Sequence, residues 1–269
     1  LDGTFTKMLG IVRYVNYFID ENGGYVQQDS IETRNVMATI ELDEDKKEWH
    51  IVKQNLLQYN TQHDGLYVGI EDMRIFSHQE NVYYSGNRGF GYGDVKVEHG
   101  CINTSTLETC DDKLMTIPNQ QSVEKNWILF SNEKGDLQMV YKWFPLTIGN
   151  VVDNQFIKHS EIQTPCAFKY FRGSTNGIVV GDKIWFLCHV VSYEERRYYY
   201  HVMVALDKET FQLKHYSKMF TFKKEKVEYC LGMGFDPESE EFTFAISVYD
   251  RQIHCISIPE QWFIDNRVM

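Results

Sequence analysis

The feature that most constrains this chain is the recurrence of short apolar runs separated by polar turns, with no long amphipathic helix. Leu9 to Ile19, Ser30 to Leu42, Trp49 to Leu56 and Gly65 to Ile70 read as the first strands. Val95 to Ile102, Lys113 to Ile117, Trp127 to Ser131 and Gln138 to Phe144 follow. Gly177 to Val180 and Lys183 to Ser192 flank Gly181-Asp182, a hairpin signal. Tyr198 to Leu206, Phe211 to Tyr216, Tyr229 to Phe235, Glu241 to Val248 and Gln252 to Ile258 complete the set, and Pro259 to Val268 reads as a short helix. Turn signals stand between them, such as Asp20-Glu21-Asn22-Gly23-Gly24 and Asp43-Glu44-Asp45. About twenty strands, in groups of about four over roughly fifty residues, predict an all-β fold, a five-bladed β-propeller, as one domain over the whole chain.

Composition narrows the function. The formal charge is -11, from 27 Lys and Arg against 38 Asp and Glu. A nucleic-acid footprint needs a basic surface, so nucleic acid is not an expected partner. No run reaches the roughly 18 apolar residues of a membrane span, so no membrane is expected either. The six cysteines never form a C-x-x-C pair, which argues against a zinc site, and no metal is expected. Scattered thiols read as those of a reducing compartment, hence a cytoplasmic location. The alternative is a Cys101–Cys110 bridge closing the polar turn between them, where Asn103-Thr104-Ser105 also fits a glycosylation sequon. Gly86-Asn87-Arg88-Gly89-Phe90-Gly91-Tyr92-Gly93 lacks the order of a phosphate loop and reads as a wide turn between strands.

Four polar clusters stand beside strands. They are Arg13, Asn16, Thr33, Arg34 and Asn35; Glu71, Asp72 and Arg74; Glu124-Lys125-Asn126-Trp127; and Phe171-Arg172-Gly173-Ser174-Thr175 with His189 and Glu228. In a propeller one end of each innermost strand faces a common axis, so one cluster per blade converges there. Strict alternation puts Asp72 and Arg74 on one face of their strand, and Glu71 and Met73 on the other. By itself such an acid–arginine pair is a structural ion pair. His189, in an apolar run, reads more simply as a hydrogen-bonded core residue than as a ligand.

The order of these segments resembles glycoside hydrolase family 130, the mannoside phosphorylases and related enzymes. Gly69-Ile70-Glu71-Asp72-Met73-Arg74-Ile75 is similar to the family's G-x-E-D-P-R-[IV] motif, and Glu124-Lys125-Asn126-Trp127-Ile128-Leu129-Phe130 to its K-N segment. Trp185-Phe186-Leu187-Cys188-His189-Val190-Val191 resembles its Y-H-G-V region, and Val227-Glu228-Tyr229-Cys230-Leu231-Gly232-Met233 its Y-E-x-x-G stretch. The resemblance spans Arg13 to Phe235. It implies a five-bladed propeller that cleaves or forms β-mannoside-like bonds by phosphorolysis, hydrolysis or glycosyl transfer.

By the same resemblance Asp72 is the proton donor, and Lys125 and His189 hold phosphate. Asn16, Glu71, Arg74, Arg172 and Glu228 bind substrate. No cofactor is implied beyond inorganic phosphate as co-substrate; the partner is an oligosaccharide or glycan. Aromatic residues such as Trp143 are expected to stack on sugar faces. Met73 replaces the motif's proline, Cys188 and Val190 replace the Tyr and Gly around the histidine, and Lys142 stands where phosphorylases carry an arginine. The alternative is a carbohydrate-binding propeller without catalysis. A start at Leu1 without Met reads as a domain excised from a longer sugar-transfer protein.

Overall fold

A computed structural model describes residues 6–20, 24–26, 29–43, 45–46, 48–61, 67–90, 93–193 and 197–268. Residues 21–23, 44, 65–66, 91–92 and 194–196, which the sequence reading placed in turns and at one strand start, lie outside them. Five sheets stand as blades in a ring, a five-bladed β-propeller.

Blade 1 comprises Lys7–Val15, Ile31–Asp43 and Glu48–Leu56. Blade 2 runs outward through Glu71–His78, Asn81–Gly89, Val95–Asn103 and Glu108–Leu114. Blade 3 is Ile128–Ser131, Leu137–Trp143, Leu146–Val152 and Gln155–Ile162. In blade 4 the inner position is split between Arg172–Gly173 and Ile178–Val180, both paired with Lys183–Tyr193; Arg197–Asp207 and Leu213–Tyr216 follow. Blade 5 has Glu228–Asp236, Glu241–Val248 and Gln252–Pro259, then the helix Glu260–Asp265. Strand Glu71–His78 touches the inner strands of blades 1, 3 and 5, which marks it as axial.

Each blade alternates apolar side chains toward its neighbours on both faces, so the cores lie between blades. Ile128, Phe130 and Trp143 of blade 3 pack on Phe186, Val204 and Phe211 of blade 4. Trp185 and Met203 of blade 4 meet Phe242, Phe244 and Phe263 beyond them. Val97 and Met115 of blade 2 meet Trp127 and Leu129 of blade 3. Met37 of blade 1 packs on Ile70, Met73 and Tyr84. Between blades 5 and 1 the apolar cluster shrinks to Tyr17, Ile19 and Val227.

Three readings need correction. The predicted strand from Leu9 to Ile19 stops at Val15, and Phe18–Ile19 pairs with Tyr25–Val26 in a separate ribbon. Gly86 to Gly89 belong to a strand, not a turn. The reason is close approach: a Cβ on Gly86 would sit 2.3 Å from Ile70 Cγ2. Cys101 and Cys110, read as free thiols, form a disulfide. Antiparallel register sets them directly opposite each other, with Cα atoms 5.0 Å apart, inside the span a disulfide bridges. Cys166, Cys188, Cys230 and Cys255 are free. No helix among the described residues is long and apolar enough to cross a membrane.

Candidate active site at the ring axis

The site is built on an irregularity in the axial strand of blade 2. Glu71 pairs with Asn87 and Arg74 with Ser85, so Asp72 and Met73 together oppose Gly86. One extra residue makes a β-bulge, and bulges re-aim side chains. Asp72 takes a left-handed conformation, φ 52°. Gly69, just before it, has φ 89°, and a Cβ there would lie 2.2 Å from the Thr33 carbonyl oxygen. Glycines at 69 and 86 thus let the backbone close around the bulge.

The bulge overturns the expected alternation. Arg74 does not pair with the Asp72 carboxylate; its Nη1 donates to the Asp72 carbonyl at 3.0 Å. The carboxylate's partner comes from blade 1, where Arg13 Nη1 donates to Asp72 Oδ1 at 2.5 Å. Arg13 Nη1 also lies 3.8 Å from Glu71 Oε1. Its Nη2 reaches Tyr17 Oη at 3.0 Å and Asp250 Oδ2 at 3.1 Å, and Tyr17 donates to the same Asp250 oxygen at 2.8 Å. One guanidinium therefore faces three carboxylates. Burial of Glu71, and then the adjacent Asp72, push the Glu71 carboxyl above the usual range, against the pull of Arg13 and Lys125.

Arg74 is buried and crosses the axis. Its Nε donates to the Ser174 carbonyl at 2.5 Å, and its Nη2 to Tyr229 Oη at 3.3 Å. Tyr229 in turn donates to Asn126 Oδ1 at 3.3 Å. Ser174 Oγ and His189 Nδ1 are 2.8 Å apart. The His189 ring packs edge-on to Tyr229, centroids 5.0 Å apart, and lies nearly parallel to Tyr199. It is held neutral well below its ordinary range by burial, then by His201 and the charges of Arg172, Arg74 and Lys125. A cationic environment around a neutral imidazole suits an anion. Lys125 and Arg172 are exposed and carry no partner among the described residues.

Of the expected site residues, Glu71, Asp72, Arg74, Lys125, Arg172 and His189 thus act on one another. Two are occupied elsewhere. Asn16 spends both ends of its amide on the backbone of Ser30 and Glu32. Glu228 is fully buried, and its carboxylate accepts the backbone N–H groups of Phe222, Lys223 and Glu225. Trp143, expected to stack on sugar, is buried between blades 3 and 4 against Phe186. Sequence reasoning missed Tyr17, Tyr199, Tyr229 and Asp250. The abundance of tyrosine was visible but indistinguishable from strand packing. Asp250 sits in a three-residue turn, like Asp72 at positive φ (54°).

These features define a five-bladed propeller with a charged, tyrosine-lined axial site. No protein-family model and no curated sequence matches the chain. Solved structures do. β-1,2-Mannobiose phosphorylase from Listeria innocua, in complex with β-1,2-mannobiose, superposes with a TM-score of 0.64 at 12% identity, covering 95% of this chain and 83% of that one. MPT-4, a mannose phosphorylase from Leishmania mexicana in complex with a phosphate ion, gives 0.55 at 12% identity over 93% and 85%. MPT-1, a GDP-Man-dependent mannosyltransferase from the same organism, gives 0.52 at 12% identity over 84% and 81%. The likeness is one of fold; it includes the mannoside-phosphorylase propellers to which the order of motifs points and, at TM-scores of 0.51 to 0.52 and 10 to 12% identity, GH43 proteins as well.

Proposed function

We propose that this protein is a carbohydrate-active enzyme that makes or breaks β-mannoside-like glycosidic bonds at the ring axis, with a phosphate group in the second half of its site. The observation that carries the reading is the meeting of two unlike halves on Arg74. On one side Glu71, Asp72 and Asp250 surround Arg13. On the other, Lys125, Arg172 and Arg74 surround the neutral His189. Carboxyl groups can supply a proton to a leaving oxygen and accept sugar hydroxyls. Cations beside them hold the anion that attacks the sugar or leaves it.

In this reading Asp72 is the proton donor, and Glu71, the adjacent carboxyl with the raised affinity for a proton, shares its proton with it. Asp250 and Arg74 position sugar hydroxyls, and Tyr199 and Tyr229 form the aromatic wall that Trp143 does not. Lys125, Arg172 and His189 take the phosphate, inorganic in phosphorolysis or part of a sugar-nucleotide donor in transfer. The exposed, unpaired state of Lys125 and Arg172 favours these two reactions over hydrolysis. A second reading, binding without turnover, is favoured by one observation: the Asp72 carboxylate is engaged by Arg13.

Incubating the protein with a panel of β-mannosides, with and without inorganic phosphate, and with mannose plus GDP-mannose, separates these readings. Phosphate-dependent sugar 1-phosphate or a transfer product supports the proposal. Saturable binding with no product under any condition supports the second reading.

A further inference from the structure

Away from the axis, blades 2 and 3 part to leave a groove of about 610 Å³, within the roughly 300–1,000 Å³ typical of small-molecule sites. It lies at the other face of the ring. Asp72 stands near the start of the axial strand and His78 at its end, about 20 Å away at the ordinary rise of a strand. His78 lines the groove.

The groove contains a side chain whose polarity the protein leaves unmet. His99 lines it and is only 4% exposed, yet neither ring nitrogen makes a hydrogen bond. The Asp153 backbone is near enough to raise its basicity, yet no hydrogen bond between the two is formed. Burial, with Lys113 beside it, lowers the His99 pKa to about 4, so at neutral pH the ring offers one donor and one acceptor. Buried polar groups without partners are uncommon and point to a missing neighbour.

The rest of the lining states what kind. Asp111, Asp136 and Asp153 stand against a single cation, Lys113, which lies 3.8 Å from Asp153. The surplus of carboxylates repels anions and accepts hydroxyl protons. Among the described residues no set of three acidic, histidine or cysteine side chains is arranged to hold a metal. Tyr83 adds an aromatic ring, fixed edge-on against His78 with centroids 4.8 Å apart. A flat ring beside hydroxyl acceptors matches a pyranose, which has a C–H face and a rim of hydroxyls. We propose that this groove is a second, non-catalytic binding site for a neutral saccharide. It owes nothing to the chemistry at the axis.

Imidazole ¹⁵N–¹H spectra of the full chain test this, with mannose, β-1,2-mannobiose and cellobiose as neutral probes and spermidine and inorganic phosphate as charged ones. At least one sugar is expected to move the His78 and His99 signals saturably. Tyr83→Ala should weaken that titration at least tenfold. Val152→Trp, at a half-exposed lining position, should do the same without disturbing the fold. Asp72→Asn should leave the titration unchanged, and an unsubstituted protein that turns over no β-mannoside yet shows the titration would support this proposal while removing the one above. The proposal is overturned if no sugar of the panel moves these signals, if only spermidine does, or if Val152→Trp has no effect on the titration.

Discussion

The two sides of the ring are held by different physics. Between blades 3 and 4 fifteen buried apolar residues form one continuous core, with Phe130, Trp143 and Phe186 meeting edge to face. Val12, Ala38 and Ile40 form a separate small cluster within blade 1, while between blades 5 and 1 the one apolar cluster that draws on both blades among the described residues has three buried members, Tyr17, Ile19 and Val227. There the closure falls to Arg13 and Tyr17 of the first blade gripping Asp250 of the last. No strand is shared across that seam among the described residues. Desolvated charges are a poor way to gain stability, because removal from water offsets most of their attraction. Their place at the seam makes sense if the same charges bind a ligand. The apolar half is the scaffold, and in the proposed reading the polar seam supplies the carboxyl half of the site.

That contrast can be broken by experiment. The largest effect is expected in the scaffold. Phe186→Ala should destabilise the fold by about 3–5 kcal/mol through the cavity it leaves, with little dependence on salt. Chemical denaturation at two ionic strengths measures both. A loss below about 1 kcal/mol would contradict the division between core and seam.

Acid should act next, and again through the scaffold. His201 is fully buried against Phe220 and Phe222, and burial lowers its pKa from 6.5 to about 3. The unfolded chain takes up this proton below its ordinary pKa, whereas the folded chain refuses it. The contribution is therefore complete above about pH 6.5 and is lost as pH falls toward 3, a change on the order of 3–5 kcal/mol. His201→Phe should flatten that part of the stability profile. An unchanged profile in the variant would show that this histidine is not the cause.

The site half yields smaller effects on stability and larger ones on ligands. Lys125→Ala removes an exposed cation, so the melting temperature should hold while the apparent affinity for phosphate falls about ten- to a hundredfold, the worth of one charge-assisted bond. Smallest of all, Tyr17→Phe deletes the hydroxyl that bridges Arg13 and Asp250. A loss of about 1 kcal/mol is expected, as for one net hydrogen bond. A loss as large as that of Phe186→Ala would mean that the seam is a true structural clasp.

Much of this organisation was legible in the sequence. The grouping of strands gave the blade number, because turn signals and apolar runs are local properties. The strand Glu71–His78 was not bounded in the sequence reading, which ended the preceding strand at Ile70, but the rule of one polar cluster per blade pointed Glu71, Asp72 and Arg74 toward the axis. The pairing of Asp72 was not legible. Alternation assigns a face only while the ladder is regular, and the bulge opposite Gly86 adds a residue. Asp250 was hidden because a turn of three residues has no pattern of its own. Glu228 stood in the expected motif but is spent on the loop before it, a long-range need that no spacing reveals. The Cys101–Cys110 bridge depended on register, which the two flanking strands fix only once they pair.

The central claim is that the carboxylate of Asp72 serves chemistry rather than closure of the ring. Asp72→Asn keeps the shape and much of the hydrogen bonding but removes the transferable proton. Turnover of β-mannosides and the melting temperature of this one variant, measured side by side, test it directly. The account predicts a fall in turnover of about 10²–10⁴ with sugar binding retained and the melting temperature within a few degrees of the parent. Full turnover in a protein that melts much lower would contradict it, and would make Asp72 the structural partner of Arg13.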